Sequence, residues 1–218
     1  MTELRISLFS ETWNQGHPSF APNSHQVIWL QSGMLSIDDQ TIQADNGAYA
    51  NSQSLITFAT DAAPQVIRFE VTPNATLTSD ATPSLNNSKL LLSDTFTIDE
   101  DNSILRLDRV TFPANAVAYR HTHSGAGIRY LLSGQLTVAA DEHTQLMNRG
   151  DAWFEDAYSP VKATAGTEGI TEFIRVMVLP NEFLGKLTIK RLNPEDAEKP
   201  TLQTNKRYFD LPISFNQS

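Results

Sequence analysis

The 218-residue chain contains no cysteine. Disulfides and thiolate metal ligation are therefore excluded, and any metal must be held by His, Asp, Glu or water. Basic residues are also few, 16 Lys and Arg against 25 Asp and Glu, for a net charge of −9 and a pI near 4.9. They are scattered, whereas a nucleic-acid partner needs them clustered, which argues against such a partner. Long hydrophobic runs are missing too: no window approaches a membrane span, and the opening "MTELRISLFSETW" lacks a basic start followed by an apolar stretch. A soluble, cytoplasmic protein is the expectation. Neither a Ser/His/Asp nucleophile arrangement nor a phosphate-binding glycine loop is apparent. What is present is a 40% apolar composition, enough to bury a substantial core in one domain or two small ones.

The chain repeats itself. "VIWLQSGMLSI" (Val27 to Ile37) matches "IRYLLSGQLTV" (Ile128 to Val138) when Gly33 is laid on Gly134. Downstream, "ADNGAYA" falls where "MNRGDAWFE" falls, and "QVIRFEVTP" (Gln65 to Pro73) echoes "EFIRVMVLP" (Glu172 to Pro180). Three blocks in one order, at nearly constant spacing, indicate a tandem duplication.

Each copy reads as β. Short runs rich in Val, Ile, Leu, Phe and Tyr alternate with clusters of Gly, Asn, Asp, Ser and Pro, and few stretches suit an amphipathic helix. The best helical turn is "NPEDAEKP", with Asn193 as N-cap and Pro194 at the first helical position. The small polar stretch from Thr72 to Ser88 reads as a linker, and "LRLDRVTF" opens the second copy as a strand. The expected organisation is an N-terminal half over residues 1–73, a linker over 74–88, a C-terminal half over 89–185 and an extension over 186–218 that packs on the rest. In "VAYRHTH" the period of two puts Val117, Tyr119, His121 and His123 on one face.

At these residues the second copy resembles a cupin. "HTHSGAGIRYLLSG" is similar to the first cupin motif, and "GDAWFEDAYSPV" to the second. The resemblance covers roughly Leu105 to Pro180 well and Val27 to Pro73 loosely, and the doubling is similar to that of bicupins. It implies an all-β chain of two tandem jelly-roll β-barrels packed as a bicupin. It also implies a divalent metal (Fe, Mn, Zn or Ni) held by the two histidines and a glutamate of the first motif and a histidine of the second. Two of those four positions depart from the pattern. Gly127 stands where the glutamate would be, and Val161 where the second-motif histidine would be. In the first copy Phe20 and Pro22 fall opposite His121 and His123, and His17 and His25 do not restore the spacing. Any site is thus expected in the second copy.

The expected metal set is His121, His123 and Glu155, two imidazoles and a carboxylate, a donor set that suits non-haem iron and is compatible with zinc, manganese or nickel. The bland reading is a strand with two hydrogen-bonded imidazoles and a surface carboxylate. Arg129 is a candidate anchor for a substrate carboxylate, with a structural ion pair to Glu155 as the equal alternative. Tyr119, Arg129 and Glu155 are the candidate catalytic residues; Tyr119, Arg129 and Trp153 the candidate substrate pocket. Arg68 and Arg175 share one repeat position, which favours a structural role, and His143 is expected on an exposed hairpin turn. Two functions follow. One is a metal-dependent enzyme, dioxygenase-like, acting on a small oxygenated or carboxylated organic molecule. The other is a non-catalytic cupin that binds a metal or small ligand. The expected partner is a small-molecule ligand or substrate, without nucleic acid or membrane, and homodimerisation is left open.

Overall fold

The computed structural model describes residues 1–14, 18–59, 63–74, 87–99, 102–141 and 143–215. Strands dominate, and none of the described residues is α-helical. The chain divides into two compact units, Met1–Asp101 with Ser214–Ser218, and Asn102–Ile213.

The first unit contains β1 (Thr2–Thr12), β2 (His25–Ser32), β3 (Met34–Ile37), β4 (Gln40–Gln43), β5 (Asn46–Asn51), β6 (Ile56–Phe58), β7 (Gln65–Pro73) and β8 (Ser88–Ile98). One sheet runs β5-β2-β7-β1-β8, the other β4-β3-β6. Strand β8 pairs antiparallel with β1, so the segment from Lys89, which the sequence assigned to the second half, belongs to the first unit. Most of the predicted linker, residues 75–86, lies outside the described residues, as does His17.

The second unit contains β9 (Asn102–Phe112), β10 (Val117–His123), β11 (Ala126–Ser133), β12 (Gln135–Ala140), β13 (Thr144–Asn148), β14 (Ala152–Glu155), β15 (Val161–Ala165), β16 (Thr171–Pro180), β17 (Ile189–Arg191) and β18 (Thr204–Ser214). Its sheets run β14-β11-β16-β9-β18 and β13-β12-β15-β10-β17. The C-terminal extension thus supplies an edge strand to each sheet. Between those strands lies a 3-10 turn, Pro194–Asp196, with Asn193 at its N-cap and proline at its start, as the sequence predicts.

The duplication is visible in the strand order and register. The sheet β5-β2-β7-β1-β8 has the same order as β14-β11-β16-β9-β18, with β2 corresponding to β11. Ile28 pairs with Arg68 as Arg129 pairs with Arg175, and both strands break register at the same place, between Leu30 and Ser32 and between Leu131 and Ser133. Gly33 and Gly134 follow these breaks with φ of 89° and 75°, a turn conformation that glycine adopts without strain. At Gly134 a Cβ would also stand 2.4 Å from Thr171 Oγ1.

The second sheets differ. Among the described residues the first unit has no strand where the second has β10: Pro18, Phe20 and Pro22 lie outside any strand, and Asn23 has φ of 61°. Two prolines cannot donate to a ladder, and a left-handed asparagine turns the chain away. Phe20 instead packs into the first unit's apolar core with Trp13, Ile28, Leu30 and Leu35. That unit also buries an ion pair, Arg68 to Glu11 at 2.8 Å, extended by Gln26, Glu70 and Ser88. His25 is engaged as well, with Nδ1 2.8 Å from the Tyr49 hydroxyl and Nε2 3.3 Å from the Ser214 carbonyl.

Candidate ligand and metal site

The second unit encloses a cavity of about 290 Å³. Its lining comes from both sheets. Phe112, Leu136, Trp153, Val161 and Phe173 form an apolar wall, while His121, His123, Arg129, Arg175, Glu155 and Asp108 form a charged, imidazole-bearing part.

Strand β10 delivers the histidines through a bulge. Ala118 pairs with Ala163 and His121 with Val161, so three steps on β10 oppose two on β15. The extra residue shifts the phase of the strand. Ala118 faces the cavity before the bulge, and Tyr119, His121 and His123 line it after, whereas Val117 does not. The strict alternation expected from Val117 onward therefore holds only from Tyr119.

Both imidazoles are buried, 4% and 6% exposed, and their Nε2 atoms lie 3.1 Å apart. His121 donates its Nδ1–H to the Tyr119 carbonyl at 2.7 Å, which leaves a lone pair on its Nε2. His123 can donate Nε2–H to that lone pair, or carry its proton on Nδ1 so that two lone pairs converge and its Nε2 accepts Arg175 Nη1–H at 3.4 Å. In neither state does His123 Nδ1 have a partner. Burial lowers the pKa of His121 from its ordinary 6.5, with Arg175 and Arg129 adding to the effect and the Tyr119 carbonyl and Glu155 opposing it. Burial, Arg175, Arg129 and His121 push His123 well below that value. Both rings are thus neutral near neutral pH, the form in which imidazole ligates a metal.

Across the other sheet, register sets Trp153, Arg129, Arg175 and Asp108 side by side on β14, β11, β16 and β9. Two neighbouring buried guanidiniums need two carboxylates. Asp108 takes Arg175 through a bidentate pair at 2.6 and 2.9 Å. Glu155 Oε2 takes Arg129 Nη2 at 2.8 Å, while its Oε1 accepts Trp153 Nε1–H at 2.8 Å. Arg129 is 1% exposed, and burial first, with the Arg175 charge beyond it, pushes its pKa down to about 10 against the opposing pull of Glu155. Its Nη1 donates to the Gly127 carbonyl at 2.6 Å. The Nη2 contact with Glu155 is close but out of line, so that donor makes no hydrogen bond.

The two imidazole nitrogens fit one divalent ion, because ligand nitrogens bound at ~2.1 Å on adjacent coordination positions sit about 3 Å apart. Glu155 does not join them in this geometry. Its Oε2 is 3.9 Å from His123 Nε2 and is committed to Arg129. Among the described residues no three His, Cys, Asp or Glu converge. Gly127, at the family's glutamate position, is closed to any side chain, since a Cβ there would lie 2.0 Å from the Val176 carbonyl oxygen. Val161 is buried in the apolar core. Tyr119 is half-buried, with Lys199 Nζ 4.6 Å and the Arg191 guanidinium 5.6 Å from its ring centre. His143 is exposed on the β12–β13 turn.

The sequence reading overlooked Asp108 and the contribution of the extension. Leu187, Thr188, Ile189 and Arg191 line the cavity, and so, at alternate positions, do Thr201, Gln203, Asn205 and Arg207. The period of two in the last run was the available signal.

Residues 108–177 match the cupin domain family. The match runs from within β9 to within β16 and so marks a cupin domain in the second unit. Solved structures share the fold. A cupin 2 conserved barrel domain protein from Leptotrichia buccalis is 15% identical over 82% of this chain and 85% of its own, with a TM-score of 0.50. AerE from Microcystis aeruginosa is 14% identical over 82% and 88%, also at 0.50. A salicylate 1,2-dioxygenase from Pseudaminobacter salicylatoxidans is 10% identical over 81% and 71%, at 0.51. No curated protein matches the chain in sequence. No helix among the described residues is long and apolar enough to cross a membrane.

Proposed function

We propose that the second unit is a metal-dependent cupin enzyme, dioxygenase-like, that takes a small oxygenated or carboxylated organic molecule into its cavity beside a divalent ion held by His121 and His123. The observation that carries this is the pair of neutral, converging Nε2 atoms in a cavity that also presents Arg129. When bound, the ion supplies Lewis acidity or a site for O₂. The chain's own residues do the rest. Arg129 Nη2 binds the ligand's acid group, and the apolar wall of Phe112, Leu136 and Phe173 excludes water from it. Trp153 fixes Glu155 through Oε1; Oε2, paired with Arg129 in the free site, serves as a proton acceptor once the ligand's acid group takes its place on Nη2, and the Tyr119 hydroxyl is a second proton-transfer group at the cavity edge.

Titration calorimetry with small carboxylates on the native protein and on Arg129→Met, beside elemental analysis of both, tests the reading. Native protein is expected to carry a divalent metal and to bind a carboxylate that Arg129→Met binds at least about tenfold more weakly. Equal affinity of the two proteins contradicts the anchor. One observation favours a second reading, a non-catalytic ligand-binding cupin: Glu155 is held by Arg129 and Trp153, away from the imidazoles. Binding without turnover under O₂ would select it.

A further inference from the structure

On the wall built by the C-terminal extension, two shielded polar atoms among the described lining residues have no partner, Arg207 Nε and Gln203 Oε1, and only the second is an acceptor. In the segment 201–207, which enters β18 at Thr204, Thr201, Gln203, Asn205 and Arg207 all line the cavity. Three of them hold hydrogen-bond partners, Arg207 through both Nη atoms though not through Nε. Thr201 Oγ1 accepts Arg191 Nη2–H at 2.7 Å, Asn205 Nδ2 donates to Asp108 Oδ2 at 3.0 Å, and Arg207 bonds Asp210 and the Lys186 carbonyl at 3.1 Å each. Gln203 differs: its carboxamide oxygen is shielded from solvent and accepts no hydrogen bond. A shielded acceptor left unmade costs free energy, and a side chain with three rotatable bonds can turn to recover it from a donor in the cavity.

We propose that Gln203 is a specificity-determining residue of this cavity and that its ligand is a small organic acid bearing, besides the acid group, an O–H or N–H donor that Gln203 accepts. This deepens the function proposed above and rests on it for the acid anchor at Arg129. The acid end lies with Arg129 on the β11 side of the cavity, and the donor end with the extension. The apolar wall between Phe112, Trp153 and Phe173 fits the carbon body. A site that offers a buried acceptor discriminates strongly against an analogue lacking the donor, since the analogue leaves the acceptor unpaired.

The test is calorimetric, with acids in matched pairs: phenylacetate and 4-hydroxyphenylacetate, benzoate and 3-aminobenzoate, pentanoate and 5-hydroxypentanoate. In at least one pair the donor-bearing acid is expected to bind the native chain about tenfold tighter than its parent. Gln203→Leu and the closer isostere Gln203→Met are expected to erase that preference while leaving the parent acid's affinity within about twofold, since they touch no acid anchor. If parent acids bind and no pair is discriminated, or if the preference survives both substitutions, the role of Gln203 is wrong and the cavity reading stands. If no acid of either kind binds at millimolar concentration, the carboxylate reading of the cavity falls together with this inference.

Discussion

At the scale of single residues, the site is an exercise in charge balance. Arg129 and Arg175 are neighbours in one row of the sheet, and each is buried, so each requires a carboxylate close by. Asp108 and Glu155 supply them and leave the imidazoles neutral between two ion pairs. The commitment of Glu155 was half legible in the sequence. An ion pair with Arg129 was one of the two readings of that arginine, but register alone could not say that both oxygens of Glu155 are taken, Oε2 by Arg129 and Oε1 by Trp153. His25 shows the same chemistry without a ligand. It is 7% exposed, and burial lowers its pKa below 6.5, with the Ser214 carbonyl opposing the shift. The unfolded chain therefore binds a proton more readily there, so the stability His25 confers is complete above about pH 6.5 and is lost as pH falls toward the lower folded value. Melting curves between pH 8 and 5 are expected to drop on the acid side, and less steeply in His25→Gln. The decline should persist in part, because His121 and His123 titrate in the same sense. A variant that melts in parallel with the native chain across that range would contradict the assignment.

At the scale of elements, strand existence and type were legible, and phase was not. The alternation of "VAYRHTH" correctly places Tyr119, His121 and His123 together, yet the bulge between Ala118 and His121 reverses the sense of the residues before it. A bulge is a property of the pairing of β10 with β15, which the local pattern of β10 does not contain. The same limit applies at Gly127. Aligned motifs mark it as a missing ligand, but the close approach of β16 makes it a structural necessity. Restoring the family residue by Gly127→Glu is accordingly expected to destabilise the chain by about 1–3 kcal/mol or more, through forced displacement of the Val176 carbonyl, and to leave zinc affinity no higher. Urea denaturation with a parallel zinc titration measures both, and a stable variant with tighter zinc binding would overturn this account of the position. The extension was legible only as packing. Its two strands complete both sheets of the second unit, and residues in and before each of them form one wall of the cavity.

At the scale of the whole molecule, one fold is present twice, and the copies have diverged in what fills them. The repeat was readable because the strand-turn-strand blocks around Gly33 and Gly134 kept their spacing, and the matching register of Arg68 and Arg175 bears it out. The divergence was readable only as missing histidines. Its physical form is the absence of a counterpart to β10 among the described residues, with Phe20 and the Arg68–Glu11 pair buried in the first unit. A metal site, on this account, belongs to β10 alone. The most direct test is calorimetric titration of metal-free protein with Zn²⁺, on the native chain, His121→Ala, His123→Ala and His25→Gln. The account predicts one site per chain in the native protein and in His25→Gln, and loss of that site in both alanine variants. Native-like zinc binding in His121→Ala and His123→Ala, or no binding by the native chain at millimolar zinc, would contradict it.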